Sequence, residues 1–194
     1  MPVNIAPTAI PDVVVVESPV FGDERGYFTE VFVADTFAEA GLPRVFVQDN
    51  LSKSSKGTLR GLHYQIEPHA QGKLVYALAG SLFDVAVDLR KGSPTFGKWV
   101  GQELRGGSGA ALWIPAGFAH GFIALEDDSL LFYKCTGPWA RSAERSLAYN
   151  DPTVGIEWPI APTTISPKDA DAPTLDKAEY NFHYENKPAI RLLP

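Results

Sequence analysis

The sequence predicts an all-β protein, a sandwich or barrel of short strands with a few short helices at its periphery. Ten runs rich in β-branched and aromatic residues lie between residues 13 and 135, and turn residues separate them. Strands this short and this closely spaced are typical of sandwiches and barrels. The composition, 45% hydrophobic and 21% charged, is that of an ordinary globular chain. At 194 residues the chain is expected to fold as a single domain.

The elements are predicted in the following order. The ten strands are 13–17, 27–33, 44–48, 58–65, 73–79, 82–89, 98–104, 111–114, 121–125 and 130–135. A helix is predicted over 34–40, because Gly41 ends it. Gly80-Ser81 has the chemistry of a tight hairpin between two strands. The alternation of polar and apolar residues over 84–90 indicates a strand with one face on the core.

The domain is expected to have four parts. N-terminal strands and a short helix occupy 1–50, and the core jelly roll occupies 51–136. Residues 137–180 contain many prolines and are expected to wrap the sandwich, with a short helical piece capped by Ser166. The last part, 181–194, has no hydrophobic periodicity, which predicts a peripheral or partly mobile tail.

Charge and cysteine content exclude several classes of function. The net charge is -6, with 17 basic residues against 23 acidic ones, which argues against nucleic-acid binding. The sequence has no apolar run near 18 residues and no leader pattern, so neither a membrane nor secretion is indicated. Cys135 is the single cysteine, which rules out an internal disulfide and fits a reducing compartment. We therefore expect a cytoplasmic protein.

Three polar groups on or beside one predicted interior strand indicate a functional site. Arg60 and His63 lie on strand 58–65, and Lys73 begins the next strand. Burying such groups is costly unless they pair with each other or meet a charged ligand. His63 is taken as the centre of the chemistry.

A second motif, Pro115-Ala116-Gly117-Phe118-Ala119-His120, resembles the second motif of the cupin superfamily. In metal-binding cupins a first motif supplies two more histidines, but here Gln65 stands where the second of them would be. His63 and His120 alone are too few ligands for a stable divalent metal, so no metal is expected. His120 fits a buried structural histidine and a polar group of the site about equally well.

Six blocks in order resemble one family. They are 21–28, 47–50, 59–65, 92–99, 113–122 and 166–170. The chain is thereby similar to the dTDP-4-dehydrorhamnose 3,5-epimerases, metal-free cupins of deoxysugar nucleotide biosynthesis. The resemblance implies a cupin-type jelly-roll β-sandwich and a homodimer that exchanges N-terminal strands. It also implies a dTDP-linked 4-keto-6-deoxy sugar as substrate, no cofactor, and a place in dTDP-rhamnose and O-antigen biosynthesis.

The resemblance also assigns the chemistry. A 4-ketone acidifies the protons on C3 and C5, so a base, an enolate-stabilising cation and an acid on the opposite face suffice to invert each centre. By resemblance His63 is the base, Asp169 fixes its tautomer, Lys73 holds the enolate and Tyr133 is the acid. Without the family, Tyr133 reads as an amphipathic core ring and Asp169 as a helix-start residue.

Further residues are expected to bind the substrate. Arg25, Arg60 and Lys168 are the cations predicted for the diphosphate. Trp139 stands where the family commonly has a tyrosine that stacks on the base, a change that retains the stacking surface and loses the hydroxyl. The remaining expected substrate-binding residues are Glu30, Gln48, Asn50, His120 and Glu144.

Four alternatives remain open on the sequence. Close relatives invert C3 or C5 only, and a ketoisomerase of similar shape would move the carbonyl between C3 and C4. A metal-dependent oxygenase would use His63, His120 and Glu67 as ligands. A non-enzymatic sugar-binding module would need none of the catalytic roles.

Overall fold

The structure of the protein, a computed structural model, describes residues 3–185 and residue 190. Within these residues it contains fourteen strands and two short helices, which confirms the predicted all-β class. The strands are β1 (Asn4–Pro7), β2 (Val14–Glu17), β3 (Val20–Asp23), β4 (Gly26–Thr29), β5 (Gln48–Ser54), β6 (Thr58–Gln65), β7 (Lys73–Ala79), β8 (Ser81–Asp88), β9 (Trp99–Arg105), β10 (Ala110–Ile114), β11 (Phe118–Ala124), β12 (Ser129–Cys135), β13 (Glu144–Ser146) and β14 (Thr164–Ile165). The helices are α1 (Ala34–Glu39) and α2 (Pro167–Ala170).

Two sheets face each other and form the sandwich. The first has the strand order β1-β2-β10-β7-β12-β5, and the second has the order β13-β6-β11-β8-β9, with β14 added in parallel beside β6. The core between them is built from the inward residues of both sheets, including Val75 and Leu112 from the first and Leu104 and Phe122 from the second. The interior is therefore filled by the side chains that point inward at every second position of each strand.

The strand β8 departs from the sequence expectation because both of its faces are buried. The polar positions of the predicted alternation, Asp84 and Asp88, have no exposed surface, and Arg90 beyond the strand is buried as well. Asp88 accepts hydrogen bonds from Arg90, Ser93 and Thr95. Buried polar groups need hydrogen-bond partners, and each carboxylate has one: His120 for Asp84 and Arg90 for Asp88.

The outer face of the first sheet is covered by an aromatic cluster. Helix α1 and the segments on either side of it contribute Phe32, Phe37 and Phe46, which pack together over Trp113. The strand predicted over 44–48 is wrong except for its last residue, since 44–47 form an irregular segment and β5 begins at Gln48. Within this segment Phe46 packs into the outer cluster, whereas Val45 and Val47 are exposed, and the local pattern could not distinguish this arrangement from a strand.

A hairpin of β3 and β4 forms a separate two-stranded sheet near the N-terminus. Only β4 was anticipated, as part of a longer strand over 27–33. The hairpin exposes Phe21, Tyr27 and Phe28, the last at 61% of its surface. A two-stranded hairpin is marginally stable in water by itself, and exposed aromatic side chains of this kind usually mark a contact surface.

The chain after residue 137 wraps the second sheet. Strands β13 and β14 both add to β6, and Ser166 caps helix α2 by accepting from the Asp169 N–H, as predicted. Residues 181–184 pack on the sandwich. Phe182 is buried, and the backbone of His183 forms an isolated parallel β-bridge with that of Lys91. The other tail residues, 186–189 and 191–194, lie outside the described residues. Among those described, no helix has the length and hydrophobicity needed to cross a membrane.

Candidate active site

A cavity of about 480 Å³ is lined by residues of both sheets. Strands β5, β7 and β12 of the first sheet and β6 and β11 of the second contribute to its wall, together with β13 and the segment 164–169. The sequence-predicted site residues that line it are His63, Lys73, Tyr133, Asp169, Gln48, Asn50, Arg60, His120, Trp139, Glu144 and Lys168. Eleven of the thirteen expected residues therefore meet in one place, although they come from positions 48 to 169.

His63 and Asp169 form a hydrogen-bonded pair in this cavity. His63 Nε2 lies 2.6 Å from Asp169 Oδ1, and the other carboxylate oxygen accepts from the Gly61 N–H at 3.2 Å. Burial alone raises the pKa of Asp169, but the hydrogen bonds from His63 and Gly61 outweigh burial and lower it below the usual value. Because a carboxylate only accepts, His63 Nε2 carries a proton, so the lone pair of the neutral imidazole is on Nδ1.

A close approach of β6 and β11 brings two imidazoles side by side. His63 and His120 are opposite each other in the register, and the register shifts directly after this pair. Gly61 has a φ of +126°, and a Cβ there would lie 2.5 Å from the Gly121 Cα. Two glycines are thus required for the backbones to meet at this irregularity.

Lys73, at the start of β7, reaches toward both histidines. Its Nζ donates to the His63 carbonyl oxygen at 3.3 Å and lies 3.4 Å from His120 Nδ1. The Tyr133 ring centre is 5.9 Å from the same nitrogen. Burial lowers the pKa of Lys73 from its usual value. Lys73 Nζ therefore lies at the cavity wall within hydrogen-bond distance of two partners.

His120 is buried and belongs to the site. Its Nε2 lies 3.0 and 2.9 Å from the two carboxylate oxygens of Asp84. Burial lowers the pKa of His120, although the charge of Asp84 opposes this effect. Both uses that the sequence left open for His120 apply, because it is a satisfied core histidine and it also lines the cavity.

Tyr133 lies on β12 with its ring at the cavity wall. It packs against the core, and its centroid is 6.3 Å from that of His120. Burial raises its pKa, so the phenol keeps its proton at neutral pH. His63 and Tyr133 thus share one cavity, which is the arrangement that the assigned roles require.

Three side chains form the rim of the cavity. Lys168 pairs with Glu144 at 2.8 Å, and this pairing lowers the pKa of Glu144 against the opposing effect of burial. Trp139 is 54% exposed, and its backbone N–H donates to the Gln48 side chain at 2.7 Å. A flat exposed ring beside a cation is suited to a ligand that has a planar base and an anionic group.

Gln65 has a role that the sequence did not predict. It stands where a metal-binding cupin has a histidine, and it is buried with its amide fully used. It donates to the carbonyl oxygens of His69 and Pro138 and accepts from the Ala140 N–H. The amide therefore holds the loop that carries Trp139. Its position in the first motif was visible in the sequence, but its partners were not.

Two expected binding residues lie elsewhere in the described chain. Arg25 is at the tip of the β3–β4 hairpin, with its side chain 84% exposed and paired with Asp23. Glu30 follows the same hairpin. Neither is among the described residues that line the cavity. Within this one chain the expectation that they share the site with His63 is therefore not met.

The ligand set of the metal-dependent alternative is not brought together. Glu67 lines a different cavity, on the side of the molecule where residues 181–183 dock. His63 and His120 each direct Nε2 at a carboxylate, of Asp169 and Asp84 respectively. Among the described residues no three His, Cys, Asp or Glu side chains are grouped as metal ligands would be.

The chain matches known proteins over most of its length. The matching family model, dTDP-4-dehydrorhamnose 3,5-epimerase, covers residues 7–177. A relative from Shigella flexneri, named dTDP-4-dehydrorhamnose 3,5-epimerase, is 51% identical over 91% of this chain and 98% of its own length. A relative from Streptomyces niveus, named dTDP-4-dehydrorhamnose 3-epimerase, is 41% identical over 80% of this chain and 76% of its own.

A solved structure shares the fold. It is a dTDP-6-deoxy-D-glucose-3,5-epimerase from Legionella pneumophila Philadelphia 1 in complex with dTDP-4-keto-L-rhamnose. The two chains are 49% identical, superpose with a TM-score of 0.87, and match over 90% of this chain and 94% of the other. This likeness confirms the cupin-type jelly-roll sandwich. On its sequence, its fold and its cavity, the chain belongs to the dTDP-4-dehydrorhamnose 3,5-epimerase family.

Proposed function

We propose that this protein inverts C3 and C5 of dTDP-4-dehydro-6-deoxy-D-glucose and releases dTDP-4-dehydro-L-rhamnose. The observation that carries the proposal is the meeting of the His63 imidazole, the Lys73 amine and the Tyr133 phenol in one cavity, with the imidazole oriented by Asp169. These are the groups needed for proton removal next to a ketone and for return of a proton from the other face.

The first step is removal of a proton by His63. The lone pair on Nδ1 takes the proton from a carbon beside the C4 ketone, the C–H electrons form a double bond from that carbon to C4, and the carbonyl π electrons move to O4 to give the enolate. Asp169 stabilises the imidazolium that results, since its carboxylate accepts the Nε2 proton at 2.6 Å. The negative charge that develops on O4 is held by the Lys73 ammonium.

The second step is protonation from the opposite face by Tyr133. The phenol gives its proton to the enolate carbon, and the ketone re-forms as the electrons return from O4. Burial raises the pKa of Tyr133, so it is a weak acid, but an enolate carbon is basic enough to accept its proton. The imidazolium then gives its proton to solvent and the phenolate takes one from solvent, after which the same two steps at the second flanking carbon complete the double inversion. No redox step is involved.

Substrate binding is assigned to the rim of the cavity. Trp139 stacks on the thymine. Lys168 leaves its ion pair with Glu144 and binds the diphosphate instead, and Arg60 is the second cation for the diphosphate. Gln48 and Asn50 hydrogen-bond each other at 3.0 Å beside them and complete the polar wall. The nucleotide thus lies at the opening and the keto sugar at the histidines.

We further propose a homodimer in which each hairpin serves the neighbouring chain. Strand β5 is the last strand of its sheet among the described residues, and its Gln48, Asn50 and Ser52 line the cavity. Added strands at this edge would cover Leu51, which is 61% exposed, together with the aromatic residues of the β3–β4 hairpin. Such an exchange supplies Arg25 and Glu30 to the partner's cavity. A cytoplasmic location, favoured by the single cysteine, remains part of the proposal.

Heavy water provides the direct test of the reaction. We expect the dTDP-linked 4-keto sugar, incubated with the protein in deuterium oxide, to gain solvent deuterium at both C3 and C5. Carbon-resolved NMR of the product measures the label and the configuration at each centre. Label and inversion at C3 alone would replace the proposal by the mono-epimerase, which the 41% identical 3-epimerase relative makes the second candidate. A carbonyl moved to C3 would indicate the ketoisomerase.

Mixed dimers test the exchanged hairpin. We expect Arg25→Ala and His63→Asn to be impaired as homodimers, whereas a purified mixed dimer should recover about half of the wild-type activity per dimer. The reason is that the chain with intact His63 receives an intact Arg25 from its partner. Differently tagged, co-expressed chains give the mixed species, and turnover is measured on it. Arg25 acting within its own chain would leave the mixed dimer without this recovery.

A further inference from the structure

Asp84 is a buried carboxylate that the proposed reaction does not use. It lies on β8, directly behind the cavity, and has no exposed surface. Its hydrogen-bond partner is His120 Nε2, which both carboxylate oxygens contact at 2.9 to 3.0 Å. A charge placed so deeply is costly unless another charge compensates it. His120 alone does not provide that charge, because burial lowers its pKa and favours the neutral ring.

The contact with Asp84 decides which nitrogen of His120 carries the proton. A carboxylate accepts hydrogen bonds, so the neutral imidazole must present an Nε2–H to it. Nδ1 is then unprotonated, and it lies 3.4 Å from Lys73 Nζ. The ring therefore accepts from the ammonium on one side and donates to the carboxylate on the other.

The groups around Lys73 show where its counter-charge comes from. The groups that face it are the His63 carbonyl on β6, His120 on β11, Tyr133 and Cys135 on β12, Asp84 on β8 and Glu144 on β13. Burial raises the pKa of Tyr133 and that of Cys135, so these two are neutral. Glu144 is already paired with Lys168. Of these groups, Asp84 is the carboxylate that is not paired with another cation. It is connected to Lys73 through the His120 ring, which contacts both.

We propose that Asp84 is a positioning residue, which orients Lys73 through His120 and holds it as an ammonium aimed at the substrate's O4. The inference rests on the proposed function, because it explains how a desolvated lysine keeps the charge that the enolate requires. Asp84 touches neither substrate nor reacting atoms. Its effect passes through the Nε2–H of His120, which leaves Nδ1 free to accept.

Asp84→Asn tests this role through the pH profile. Burial already lowers the pKa of Lys73, and the Asp84 carboxylate opposes that effect, so its loss should lower the pKa further. Activity that needs the ammonium falls as pH rises through that pKa. We therefore expect the alkaline limb of the pH profile of kcat to move to lower pH by about one unit or more, so that kcat measured at a pH on that limb falls about 10-fold or more. KM should change much less.

Asp88→Asn is the matched control. Asp88 lies on the same strand and is equally buried, but its carboxylate binds Arg90, Ser93 and Thr95 and does not line the cavity. This variant should be less stable, but the alkaline limb of its kcat–pH profile should stay at the wild-type position. If Asp84→Asn also lowers only the melting temperature and leaves the limb in place, Asp84 is structural and the proposal fails.

A measurement of the wild-type tautomer depends neither on activity nor on whether the Asp84 and Asp88 variants fold. Imidazole ¹⁵N NMR distinguishes the two neutral tautomers from the imidazolium, and a His120→Gln spectrum assigns the signal among the four histidines. We expect His120 to be neutral at pH 7 with its proton on Nε2. A proton on Nδ1, or an imidazolium, would overturn the inference. Absence of epimerisation by the wild type would instead refute the proposed function.

Discussion

His63→Asn is expected to lower kcat by about 10²- to 10⁴-fold, the usual contribution of a general base. Asn retains a polar side chain of similar reach but has no basic nitrogen for the substrate proton. Deuterium exchange at C3 and at C5 should be lost together, because the same imidazole serves both centres. Steady-state kinetics and carbon-resolved exchange measure the two effects.

The loss should be confined to chemistry. His63 lies at the cavity wall with its side chain 33% exposed, so the substitution leaves the core intact and dTDP should bind with near wild-type affinity by calorimetry. His69→Asn is the matched control, since His69 is an exposed loop residue that does not line the cavity. Retention of wild-type turnover in His63→Asn would contradict the assignment of the base.

Tyr133→Phe is expected to separate exchange from inversion. The phenylalanine ring fills the same space but cannot return a proton from the opposite face, so inversion should fall by about 10²- to 10⁴-fold. His63 can still remove a proton, exchange it with solvent and return it to the same face. Deuterium should therefore continue to enter the sugar with its configuration retained, which NMR of recovered substrate measures.

Tyr76→Phe serves as the control for loss of a buried hydroxyl. Tyr76 lies on the neighbouring strand β7, and its ring belongs to the aromatic cluster on the outer face of the sheet, where its hydroxyl donates to the Val31 carbonyl oxygen. This variant should lose stability without uncoupling exchange from inversion. Inversion at the wild-type rate in Tyr133→Phe would show that another group is the acid.

The candidate site was predictable where its chemistry is concentrated along the chain. Arg60, His63 and Lys73 are close in sequence, and a polar cluster on an interior strand has a cost that only pairing or a ligand offsets. Asp169 was different, because a carboxylate in the first turn of a helix is ordinary on local grounds. Its role depends on β14 and α2 docking onto β6, a contact that spans 106 residues and leaves no local pattern.

Asp84 and the outer aromatic cluster escaped sequence reasoning for a related reason. An alternating strand implies one covered face, with its polar residues in solvent. In the structure Asp84 and Asp88 instead share the face of β8 that carries Leu82 and Ala86 into the core between the sheets, while the chain after residue 137 covers the opposite, apolar face. The apolar residues over 44–48 resemble a strand, but among them only Phe46 packs over the first sheet, in contact with Phe32. In both cases the deciding contacts come from distant parts of the chain, and local periodicity does not contain them.

The docking of α2 has a consequence for biosynthesis. The core strands of the jelly roll are complete at Cys135, more than thirty residues before the carboxylate that orients His63. A nascent chain can thus bury most of its interior on the ribosome while its base still lacks a fixed tautomer. Competence for turnover is acquired only when the segment that carries Asp169 docks beside β6, and the same stretch of chain covers the outer face of the second sheet.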